Sequence, residues 1–146
     1  MEIRVALRGQ KKVSGHFDGF EVLTDQPFKS GGEGSAPSPF DLFLASIATC
    51  AGFFVQSYCQ TRHLSSEGIE IVQTMVRDEQ TRLVTQILLH VTVPTSFPPE
   101  HHEGLVAAIN ASTRSAKPLS AASSTRWLSC VSVRIAAMRA SSCPPN

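Results

Sequence analysis

The most reactive side chains in this sequence are four cysteines, Cys50, Cys59, Cys130 and Cys143. Their spacings are too wide for a CxxC redox pair or a zinc ribbon, and an intracellular chain of this size rarely needs structural disulfides, so each is read alone. Cys50 lies in the longest apolar run, Leu42 to Val55, which carries no charge and is interrupted only by Ser46 and Thr49. A free cysteine in such a run is either a small hydrophobe packed in a core or a nucleophile. The second role requires an electropositive, partly open setting that favours the thiolate. Cys59 is not a partner for Cys50: on one continuous helix it lies about 13 Å further along the axis and on the opposite face, whereas a disulfide needs Cα atoms within ~7 Å.

The remaining candidates have structural readings beside the chemical ones. Asp41 stands three residues after Ser38, the arrangement of a reciprocal helix cap. His101 and His102 are flanked by Glu100 and Glu103. Adjacent residues diverge on a helix and no third ligand recurs at i+4 of either histidine, so a solvated helix start is expected there, with no metal and no cofactor. His90 belongs to the polar face of a strand. Phe43, Phe53 and Phe54 suit a core. Phe53 and Phe54, one turn from Cys50, could also wall an apolar pocket.

These residues must be positioned by elements that the pattern marks out. Ser38 is an N-cap, Pro39 fits the first helical position, and the apolar run that follows has large residues on every side, which predicts a helix buried all round. A membrane span is set aside because the solid apolar part is shorter than the roughly 20 residues a bilayer requires, and Gln56, Ser57, Gln60, Thr61 and Arg62 follow it. Before this helix, Glu2 to Arg8 alternates as a half-buried strand with Ile3, Val5 and Leu7 on one side. Val13 and Phe20–Leu23 read as two more strands joined by Ser14–Gly19, and Lys29–Pro37 is a loop. After it, Ile69–Val76 and Arg82–Val93 alternate and should pair across a polar turn at Asp78–Thr81. Leu83, Ile87, Leu89, Val91 and Val93 are expected on one face of the second strand. Phe97–Glu100 introduces a second helix with Leu105, Val106, Ala108 and Ile109 as its apolar positions. Ala111–Arg126 shows no periodicity, Trp127–Ala137 alternates as a last strand, and residues 138–146 form a tail. The order of elements predicts a single α+β domain over 1–146.

Thirteen basic against 12 acidic residues among 146 give no long-range field, and no run of five like charges occurs. Neither nucleic acid nor a membrane is an expected partner. MEIRVALRGQKK alternates and is charged throughout, unlike a signal or transit peptide, so the cytoplasm is the expected compartment.

The stretch APSPFDLFLASIATCAGFF resembles the OsmC/Ohr family (osmotically inducible protein C and organic hydroperoxide resistance proteins). The likeness rests on Gly31, Gly32, Pro37, Pro39, Asp41, Leu42 and Cys50, with spacing most similar to the YhfA-like branch. The resemblance implies the OsmC-like fold, antiparallel sheets with two main helices in an intertwined homodimer. It also implies thiol-dependent reduction of organic hydroperoxides in oxidative stress defence, with Cys50 as the peroxidatic cysteine, an arginine from the N-terminal strands (Arg8 or Arg4) activating it, and Asp41 as an acidic partner of that arginine. The family's second, resolving cysteine has no counterpart here, where Ser112, Thr113 and Ser115 stand. Cys130 or an external thiol reductant would therefore complete the cycle. A member that kept the fold, lost the cycle and binds a small apolar ligand is the alternative.

Overall fold

The computed structural model describes residues 1–81, 83–115 and 131–137. Its elements run β1 (Arg4–Leu7), β2 (Val13–Phe17), β3 (Phe20–Thr24), α1 (Pro39–Thr61), β4 (Glu70–Arg77), β5 (Val84–Val93), α2 (His102–Ser115) and β6 (Val131–Ala137), with 3-10 turns at Phe28–Ser30 and Pro99–His101. This is the expected α+β order. Trp127, Cys130, Cys143 and the tail lie outside the described residues. Contacts divide the chain into two compact units, Met1–Ile47 and Ala48–Asn146, and the division falls within α1.

In the first unit β1, β2 and β3 form an antiparallel meander. Asp18 (φ 47°) and Gly19 (φ 82°) both adopt the left-handed conformation of a two-residue hairpin turn, which pairs Phe17 with Phe20 and His16 with Glu21. The connection is thus much shorter than the Ser14–Gly19 loop expected from sequence, and β2 runs on through His16. The alternation of β1 gives a strand, but its apolar side is not half-buried: Ile3, Val5 and Leu7 are all exposed, Leu7 at 84%.

The second unit carries the sheet β4-β5-β6. β4 and β5 form the expected hairpin, closed by Asp78, whose carboxylate accepts from the backbone N–H of Gln80 and Thr81. The pairing steps from Val76 with Gln86 to Arg77 with Val84, so Thr85 is an extra residue in β5. That bulge reverses the alternation at its N-terminal end. Val84 is buried in place of Leu83, while Ile87, Leu89, Val91 and Val93 face inward as expected. β6 joins β5 in parallel, so this sheet is mixed rather than antiparallel, with α2 in the crossover that a parallel pair requires. α2 continues to Ser115, into the stretch without periodicity. The core joins Ala51, Val55, Tyr58 and Cys59 of α1 to Leu89, Val91 and Val93 of β5, to Phe97, and to Leu105 and Ile109 of α2.

Candidate functional site around Cys50

α1 begins as its residues dictate. Ser38 Oγ accepts the Asp41 N–H at 3.2 Å, while the Asp41 carboxylate accepts from the Ser38 hydroxyl at 2.7 Å and from the Ser38 N–H at 3.2 Å. Asp41 is therefore engaged as a cap, in the manner expected of it.

The expectation of a helix buried all round is corrected by the stripe pattern. Leu44, Ala51, Val55, Tyr58 and Cys59 are buried, whereas Phe43, Ser46, Cys50 and Phe53 are exposed. Steps of three and four residues put each set on one face of the helix. Cys50 lies in the middle of the open stripe, and Phe53, expected as core, is 67% exposed. Phe53 and Phe54 meet edge to face with centroids 5.5 Å apart. α1 is also 23 residues long and apolar enough, by length and composition, to cross a membrane, contrary to the estimate from its solid apolar portion. One stripe of its second half is instead spent on the protein core.

Cys50 and Cys59 are both free thiols. Cys59 is 1% exposed, and burial pushes its thiol above the ordinary value because the thiolate would lose its hydration. The two cysteines thus lie on opposite faces of α1, as helix geometry requires.

Arg8, at the end of β1, is held by a network on the meander. Its Nε donates to Ser14 Oγ at 2.9 Å and its Nη2 to Glu21 Oε1 at 2.8 Å. His16 Nε2 lies 3.0 Å from Ser14 Oγ, 3.3 Å from Arg8 Nη2 and 3.5 Å from Glu21 Oε1. The Arg8 guanidinium holds the Glu21 carboxyl below its ordinary value. Arg4 pairs instead with Glu2 at the surface. Glu21, His16 and Ser14 were not singled out in the sequence. The signal lay in Asp18-Gly19, because once that dipeptide is the turn, the register sets His16 against Glu21.

The glycine-rich approach to α1 is organised by Asp25, a second residue that sequence reading passed over. Its carboxylate is 1% exposed. It accepts the N–H of Gln26 at 2.7 Å, Glu33 at 3.2 Å and Ser35 at 3.0 Å, and the Ser35 hydroxyl at 2.8 Å. Led by the Ser35 N–H, these donors outweigh burial and hold the carboxyl down at about 2. Gly32 is required here by close approach: a Cβ would stand 1.9 Å from the Gln26 carbonyl oxygen.

The histidine pair is not a solvated helix start. His101 Nδ1 lies 3.2 Å from the Tyr58 hydroxyl, and His102 stacks on Phe97 with centroids 5.8 Å apart. His90 is exposed, as expected of its face. On the other side of α1 from Cys50, a hollow of about 390 Å³ is lined by Ala48, Gly52, Val55, Gln56, Ile69 and Ile71.

An α+β chain with a long capped helix carrying a mid-helix thiol matches a known family. Residues 32–116 match the model of OsmC-like proteins, so the chain belongs to that family. No match was found among curated proteins by sequence. Solved structures share the fold. A provisionally named osmotic stress induced and detoxification response protein from Psychrobacter arcticus aligns with a TM-score of 0.69 at 18% identity, covering 93% of this chain and 94% of the other. An OsmC-like protein from Mycoplasma pneumoniae gives 0.66 at 11% identity, covering 94% of each chain. The organic hydroperoxide resistance protein OhrB of Bacillus subtilis gives 0.52 at 18% identity, covering 94% and 98%.

Proposed function

We propose that this protein is a cytoplasmic thiol peroxidase acting on organic hydroperoxides through Cys50, in defence against oxidative stress. The observation that carries the reading is the exposed Cys50 thiol on an apolar stripe with Phe43 and Phe53, in a chain of the OsmC-like family. The thiolate attacks the terminal peroxide oxygen, the O–O bond breaks, and the alkoxide leaves as the alcohol after taking a proton. Cys50 becomes a sulfenic acid. A second thiol, from Cys130 or an external dithiol, condenses with it to a disulfide and releases water. Two electrons from the external reductant then restore the thiol. Arg8 is the cation that favours the thiolate, and Phe53 and Phe54 wall the site against the organic group.

The uncovered phenylalanine stripe of α1 and the uncovered apolar side of β1 support assembly as an intertwined homodimer. A monomer by light scattering would remove that part of the reading. The hollow on the opposite side of α1 favours a second reading, a binder of a small apolar ligand without a peroxidase cycle.

Limiting tert-butyl hydroperoxide added to reduced protein separates the two. Peroxide loss with Cys50 modified by mass, absent in Cys50→Ser, supports the enzyme. Persistent peroxide with Cys50 still a free thiol ends that reading and leaves the binder.

A further inference from the structure

Glycine inside a helix is less stable than alanine there, so its presence calls for a reason. The glycine of α2 has one in packing, since a Cβ at Gly104 would collide with the Tyr58 hydroxyl. Gly52, in the middle of α1, has no such reason. Its φ is not in the left-handed region, and a Cβ there would meet nothing within 4 Å. What the missing side chain preserves is space, because Gly52 opens onto the hollow of about 390 Å³ between α1 and the start of β4, whose lining lies wholly within Ala48–Asn146.

The chemistry of that lining selects a ligand. Its apolar part comes from Ala48 and Val55 of α1 and from Ile69 and Ile71. Its polar part is Thr49, Gln56 and Ser66, two hydroxyls and an amide, which as types both donate and accept hydrogen bonds. No charged side chain among the described residues lines it, so an ion would lose hydration there with no counter-charge in return. A cavity of about 150 Å³ holds benzene, so this larger one, open on one side, has room for a chain of roughly eight carbons.

We infer that the hollow is a binding site for a neutral aliphatic alcohol, with its chain against Val55, Ile69 and Ile71, its hydroxyl among Thr49, Gln56 and Ser66, and Gly52 setting its capacity. This rests on the reading of the protein as a ligand binder and adds the ligand's class and the residue that admits it. Gly52 lies about 200° around α1 from Cys50, so the site is separate from the thiol.

Calorimetric titration of the full-length protein with 1-butanol, 1-hexanol, 1-octanol and octanoate at pH 7 tests this, with amide NMR to locate the bound molecule. Each two added methylenes should tighten binding about tenfold, and octanoate should bind at least tenfold more weakly than 1-octanol. The amides of Gly52, Ile69 and Ile71 should shift first. Gly52→Leu, which fills the hollow, should weaken 1-octanol at least tenfold, with circular dichroism to verify folding; if that variant does not fold, the location of the wild-type shifts decides. Affinity independent of chain length, octanoate bound as tightly as 1-octanol, or shifts elsewhere would each overturn the inference and leave a binder of another kind. No binding of any of the four overturns both. A change of mass by light scattering in Gly52→Leu would show a second copy covering the hollow, and overturns the inference too. Peroxide consumption is measured separately. If wild type and Gly52→Leu consume peroxide alike while only the wild type binds 1-octanol, the reading without a peroxidase cycle falls and the site stands.

Discussion

The Asp25 carboxylate takes both the backbone N–H and the hydroxyl of Ser35, at 3.0 and 2.8 Å, and so closes a ten-residue loop onto the end of β3. The bonds favour the charged carboxylate, lowering its pKa from the ordinary 3.8 to about 2. A folded-state value below the unfolded one contributes stability that is complete above about pH 4 and is lost as pH falls towards 2. Acid titration by circular dichroism should show wild type losing stability across that window. Asp25→Asn should be less stable at pH 7, since its amide donors would face donors, and should lose little more below pH 4. Equal acid sensitivity of the two proteins would refute this account.

Two glycines should respond in opposite ways to the same change. In Gly32→Ala the new methyl meets backbone, not a yielding side chain, and the variant should lose about 2 kcal/mol or more in urea unfolding. In Gly52→Ala nothing lies within 4 Å of the added carbon. Helix propensity alone should then stabilise this variant by about 0.5–1 kcal/mol. Similar losses for both would show that Gly52 faces something closer than its open hollow.

The cap at α1 should be measurable by itself. Ser38→Ala removes the hydroxyl that donates to Asp41 and accepts its N–H, and should cost about 1 kcal/mol, with Ser38→Thr nearly neutral. Thermal unfolding of the two variants checks the difference, and equal stability of Ser38→Ala and wild type would deny the cap its role.

The two helix cysteines should separate cleanly under a brief alkylation pulse at neutral pH. Cys50 should be labelled and Cys59 protected until denaturant is added, because Cys59 is buried and its thiol is pushed up. Cys59→Ser should destabilise by roughly 1–3 kcal/mol by placing a hydroxyl in the apolar core. Peptide mapping of the labelled protein reads both, and prompt labelling of Cys59 would contradict its burial.

Where local chemistry decides structure, the sequence was a good guide. Ser38, Pro39 and Asp41 announced the start of α1, and the spacing of nine residues separated Cys59 from Cys50. The inward faces of β5 and α2 were legible from Ile87 to Val93 and at Leu105 and Ile109. What misled was periodicity read as burial. An apolar helix and a strand with Ile3, Val5 and Leu7 announce surface that favours cover, but not whether the same chain supplies it. Leu83 was misplaced because a single extra residue at Thr85 inverts alternation, and no composition marks a bulge. Glu21 and Asp25 escaped notice for another reason. Their partners, Arg8 and Ser35, lie 13 and 10 residues away, and only the turn geometry brings them together.

The parallel pairing of β5 with β6 has a consequence for how the polypeptide is made. Ile87 has to wait for Val131, so β4, β5, α1 and α2 all leave the ribosome before the strand that completes their sheet. Until then the nascent chain presents one side of β5, rich in Leu and Val, as an unpaired edge open to other chains. Translation that stops after Ser115 would leave that edge permanently bare. Among the described residues, β6 is thus the strand that closes the second sheet on the side of β5 away from β4.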